Sequence, residues 1–220
     1  MNDAIRSHQS RSLRVHELAH DFELLDTWRY PIEADATDTL ASFDAVSTRA
    51  QLELLSGRGA AAQLFRLREA LGKVFGWDRA VNEIPVPGTE ELSLRERLSD
   101  AERARQPWAN GDDTIVSVGE LGGFRLVYQN EHEVIHEISN STVHAIMHVS
   151  WVHEGGERYA PHMAVYVKHR GWLGRAYMAA IKPFRHVVVY PALLRCVQRA
   201  WQQHQRRVRA LARPRLSNSV

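Results

Sequence analysis

A chain of 220 residues, 44% hydrophobic and 25% charged, has the make-up of one well-packed domain and excludes a disordered or fibrous protein. Its single cysteine, Cys196, excludes an intrachain disulfide and a zinc site of several thiolates, and fits a reducing compartment. The net charge of +2 hides a division: residues 1–157 hold all 26 acids and 15 Lys/Arg, net −11, whereas 158–220 hold 13 Lys/Arg and no acid, net +13. A split of this kind points to an anionic partner or to a basic segment packed beside an acidic body.

The N-terminal stretch mixes both signs of charge and has no apolar core of signal-peptide length, so a cytoplasmic protein is expected. No apolar run reaches the roughly 20 residues of a membrane span. Residues 1–19 read as a polar tail, 20–205 as the domain and 206–220 as a basic tail.

Residues 21–30 read as a first strand ending at Pro31. Leu40, Phe43, Val46, Leu52 and Leu55 recur at mostly helical spacing, with Thr37 or Asp38 available as a cap, and predict helix within 35–55. A second amphipathic helix is expected over 60–77. Between them Gly57-Arg-Gly-Ala-Ala-Ala62 matches a dinucleotide fingerprint, but no strand precedes it and no βαβ unit surrounds it, so no cofactor is assigned. The charged Ser93–Leu98 stretch suggests an exposed connection.

From residue 112 the apolar period becomes two. Segments 114–119, 124–129, 133–138, 142–153 and 159–168 are separated by turn residues, which predicts an antiparallel meander. Residues 174–205 then read as helix, kinked at Pro183, with Pro191 a second candidate, each of which removes a backbone donor.

Within the meander, His132-Glu-Val-Ile-His136 matches the H-E-x-x-H zinc signature. That chemistry needs a helix, where residues four apart are neighbours. Here Val134, Ile135 and Ile138 favour a strand, on which the two imidazoles would stand roughly 13 Å apart at about 3.3 Å per residue. No metal is assigned. A hairpin turning at Asn140-Ser141 would pair His136 with Ala145, and would set Glu137 against His144 and Glu133 against His148 on the opposite face, each worth about 0.2–1 kcal/mol.

The long stretch Gly171–Leu194, together with Ser93–Leu98, Glu137–His144 and Ala164–Lys168, resembles the uncharacterised bacterial domain-of-unknown-function 2867 family over roughly residues 20–201. That family is similar to the START-like (SRPBCC, helix-grip) superfamily, which includes polyketide cyclases and lipid carriers. The resemblance implies an α+β helix-grip fold, a curved antiparallel sheet wrapped on a long C-terminal helix, with an apolar cavity between them. It implies no reaction, and an enzyme is not expected. The candidate cavity residues are His136, Met147, Trp151, Met163, Tyr177, Ile181 and Phe184, with simple core packing the competing reading for each. The leading expectation is therefore a binding protein for a small apolar or aromatic molecule. The alternatives are an interaction module whose arginines from Arg195 to Arg215 meet nucleic acid or an anionic membrane, and a zinc hydrolase using the histidine pair.

Overall fold

The computed structural model describes residues 3–59, 63, 90–110 and 124–212. The helix expected over 60–77, the strand over 114–119 and residues 213–220 lie outside them. In chain order the elements are helices α1 (Asp3–Gln9) and α2 (Arg14–Leu18), strand β1 (Glu23–Arg29), helix α3 (Leu40–Ser56) and the short helix α4 (Asp100–Ala104). Strands β2 (Arg125–Gln129), β3 (Glu133–Ser139), β4 (Val143–Gly155) and β5 (Arg158–His169) follow, then helices α5 (Gly171–Phe184) and α6 (Tyr190–Ala212), joined by a π-helical turn at Arg185–Val189.

The five strands form one antiparallel sheet in the order β1-β5-β4-β3-β2, curved and unclosed, so the α+β class with a long C-terminal helix stands. Strands β2 to β5 are the expected meander, and β1 adds beside β5. In β3/β4, His136 pairs with Met147 and Val134 with Val149, two residues beyond the expected register. The cause is the turn: the Asn140 side chain accepts from the Thr142 and Val143 amides at 2.9 and 3.0 Å, which moves the two-residue loop to Ser141-Thr142. A shift of two preserves which face each side chain occupies.

Both faces are covered. On one, Leu126, Val134, Val149 and Met163 pack against Leu40, Phe43 and Ala50 of α3 and Leu193, Val197 and Trp201 of α6. The Phe43 and Trp201 rings meet edge to face at 5.6 Å between centroids. On the other, Val127, Ile135, Ile146 and Ala164 pack against Val15 and Leu18 of α2 and against Leu94 and Leu98. Residues 3–18, expected as a polar tail, are thus a working part of the fold. Leu94–Arg97, expected as an exposed connection, is a 3-10 turn whose Leu94 is fully buried.

The cap of α3 is Thr39, whose hydroxyl accepts from the Ser42 amide at 3.2 Å, one residue past the expected positions. The C-terminal helix is interrupted as expected at Pro183, by a π turn rather than a simple kink. The carboxylate of Asp26 on β1 holds that turn by contacts of 2.9 Å to each of Arg185, His186 and the Tyr190 hydroxyl.

Candidate functional site

The histidine stretch lies on β3, with His132 exposed just ahead of the strand and His136 buried on the face that meets α3 and α6. The helical geometry of a zinc peptidase is therefore absent. Among the described residues no three His, Cys, Asp or Glu side chains are placed to hold one metal ion.

His136 is 3% exposed, and among the described residues its Nδ1 has no hydrogen-bond partner. Its Nε2 faces Oδ2 of Asp44, on α3, at 3.8 Å, which is too long for a hydrogen bond. Burial lowers the basicity of the imidazole, opposed by the nearby carboxylate. Burial likewise raises the Asp44 carboxyl, opposed by the attraction of His136. Beside them Tyr30 is fully buried, and among the described residues its hydroxyl reaches only the Met163 sulfur, at 3.5 Å, a weak acceptor. Burial, and secondarily the Asp44 charge, push that phenol upward.

Two buried polar tips, His136 Nδ1 and the Tyr30 hydroxyl, thus sit on one apolar face with little hydrogen bonding among the described residues, beside the partly exposed carboxyl of Asp44. Met147 and Trp151, only partly buried, belong to the same apolar cluster, and Trp151 stacks on Tyr159 at 6.2 Å. Four of the seven candidate residues, His136, Met147, Trp151 and Met163, are therefore neighbours on this face. Asp44 and Tyr30 were not anticipated. Asp44 lies four residues after Leu40 and three before Ser47, on the helical stripe that turns inward.

The remaining three stand differently. The Tyr177 side chain lies outside the described positions. Ile181 is half-buried on α5, outside the cluster around Phe43, and Phe184 points away from the sheet with 53% exposure. The expectation that Tyr177, Ile181, Phe184 and Val188 form one sheet-facing stripe is corrected at Phe184, which is exposed, and at Tyr177 it falls outside the described side chains. The π turn adds a residue to one helical turn and shifts the phase, so the sheet-facing stripe is Tyr190, Leu193, Val197 and Trp201.

The opposite face carries a buried polar layer. His144 places one ring nitrogen 3.1 Å from Glu137 and the other 2.9 Å from Glu91, and Arg170 reaches Glu91 at 2.7 Å. Glu137 also accepts from the Leu94 amide at 2.9 Å, from the Ser93 hydroxyl and from Arg125. Burial would depress the His144 basicity, but hydrogen bonds to the two carboxylates outweigh it, and the imidazole is held above its usual value. Glu133 accepts from His148 at 3.1 Å and from the Arg14 amide at 2.7 Å. The expected partners thus meet, but diagonally across the strands and sealed from solvent by residues 3–18 and 90–106. Every carboxylate here has a strong partner, although His148 Nδ1 has none among the described residues, which makes this layer chiefly a scaffold and leaves the His136 face, beneath α3 and α6, as the candidate site.

A surface groove of about 430 Å³ lies between β1 and α6, lined by Arg29, Glu33, Gln198, Trp201, Gln202 and Gln205. None of the seven candidates borders it.

The fold is of the α+β class, a curved antiparallel sheet covered on both faces. The chain belongs to the family of proteins of unknown function DUF2867, whose profile matches residues 18–192. No curated protein and no solved structure matches it.

Proposed function

We propose that the protein binds a small apolar or aromatic molecule carrying one hydrogen-bonding group, held between the sheet and the helical layer at His136. The observation that carries this reading is the buried Nδ1 of His136, which has no partner among the described residues. Leaving such an atom unsatisfied costs about 1–3 kcal/mol, which a ligand hydroxyl, carbonyl or carboxyl would offset. The surroundings suit such a ligand: Met147 and Met163 are adaptable walls, and Tyr30 and Asp44 offer further polar contacts. The resemblance to START-like carriers points the same way, as a reading of likeness only.

A neutral imidazole next to a carboxyl of raised pKa can donate to or accept from such a group. Binding without chemistry is the simplest reading. Thermal unfolding with a panel of aromatic acids, phenols and fatty acids tests it. A member of the panel should raise the midpoint of the parent protein and leave His136→Phe unmoved. If no member raises the parent midpoint, or if His136→Phe responds equally, the reading fails.

A further inference from the structure

Helix α5 presents its apolar side outward. Trp172, Ala176, Ala180, Phe184 and Val187 follow one another at steps of four, four, four and three, the spacing of a single helical stripe, and all five are exposed. Trp172 is 78% and Val187 74% exposed. The inward side is fixed by Gly174, where a Cβ would stand 2.3 Å from the Thr142 carbonyl oxygen, so the helix cannot roll to bury the stripe without breaking this contact. Exposed Trp172 and Phe184 on the helix, with Val187 on the π turn that follows, make an apolar patch of the kind that marks an interaction surface.

Its charge says what it meets. Arg175 and Lys182, seven residues apart on one shoulder of the stripe, are exposed and have no carboxylate partner among the described residues. No acidic residue occurs anywhere from 158 to 220. Nucleic acid would use the two cations but leave the aliphatic stripe without a role, since binding there is dominated by phosphate contacts. A two-fold contact with a second copy would set the stripe against itself and bring both pairs of shoulder cations to one seam. An anionic bilayer accommodates both features: an interfacial helix sinks Trp, Phe and Val to the headgroup–acyl boundary, while Arg and Lys meet the phosphates.

We propose that α5 and the π turn form a docking surface for anionic lipid bilayers, with Trp172, Phe184 and Val187 inserting and Arg175 and Lys182 meeting the headgroups. The test is co-sedimentation of the full chain with phosphatidylcholine vesicles, with and without phosphatidylserine. Binding should be at least about tenfold tighter with the anionic lipid, and Trp172→Ala, Phe184→Asp and the pair Arg175→Glu, Lys182→Glu should each lower it about tenfold. Because these side chains are exposed, thermal midpoints should match the parent, and a variant that does not fold leaves the others to decide. Four results would overturn the proposal. They are no preference for the anionic vesicles, binding unchanged in all folded variants, a concentration-dependent dimer abolished by Phe184→Asp without vesicle binding, or DNA binding that these variants weaken while vesicles stay unbound.

Discussion

The imidazole of His136 on β3 and the carboxyl of Asp44 on α3 face each other across 3.8 Å inside the layer that joins sheet to helices, without a hydrogen bond between them. Burial pushes both toward their neutral forms. The pair therefore contributes little to holding α3 on the sheet. We expect His136→Phe, which removes an unsatisfied polar atom and fills similar space, to change stability by less than about 1 kcal/mol in either direction. Urea unfolding measures this. A loss of several kcal/mol would show that the pair is a structural clamp.

Glu137 should behave in the opposite way. It takes hydrogen bonds from His144 and the Leu94 amide, and is buried completely. Glu137→Ala leaves a charged imidazole and two buried donors short of a partner, so we expect about 3–5 kcal/mol of destabilisation in the same unfolding experiment. A loss below about 1 kcal/mol, the scale of an exposed cross-strand pair, would show that the layer is more hydrated than its packing indicates.

Gly174→Ala tests the docking of α5. The added Cβ would meet the Thr142 carbonyl at 2.3 Å, and backbone there cannot swing aside as a side chain can. Despite the better helix propensity of alanine, we expect destabilisation of about 1–3 kcal/mol. Gain of stability on thermal unfolding would contradict the close approach.

The acid limb of stability follows from the histidines under α1. Burial first, then the neighbouring His148 and His16, lower His8 from 6.5 to about 3, and burial lowers His148 as well. In the unfolded chain these groups protonate near 6.5, so between that pH and about 3 the unfolded state binds more protons. Stability then falls as pH falls, by up to about 1.4 kcal/mol per pH unit for each such group. His144 has the opposite sign. Its raised basicity adds stability that is full below 6.5 and is lost as pH rises through its folded value. Urea midpoints should drop on acidification from pH 7 to pH 5, and His8→Gln should flatten that slope. An unchanged slope would mean that His8 is not buried as described.

The alternation of Val134, His136 and Ile138 against Glu133, Ile135 and Glu137 made the strand and its two faces readable in the sequence, and with them the inward direction of His136. The register differs by two from the simple alternation because Asn140 caps the turn and Ser141-Thr142 form its loop. The Asn140 side chain was the available signal. The burial of Glu133 and Glu137 was not readable, since it depends on cover from residues 3–18 and 90–106, distant in sequence and carrying no local period. Asp44 was missed because a carboxylate on a helix reads as solvent-facing, although its place on the Leu40–Ser47 stripe argued otherwise. Beyond Pro183 the period of apolar residues survived, but the π turn changed its phase, a shift that depends on Asp26 gripping Arg185, His186 and Tyr190 from another strand.

The central claim is that His136 receives a ligand through Nδ1. Imidazole nitrogen NMR of ¹⁵N-labelled protein, with the His136 signals identified by their loss in His136→Phe, addresses that atom directly. On adding a ligand that raises the thermal midpoint, the account predicts a change of Nδ1 shift at His136, with His144, bonded at both ring nitrogens to Glu137 and Glu91, unmoved. Ligand binding that leaves the His136 nitrogens unchanged would contradict it.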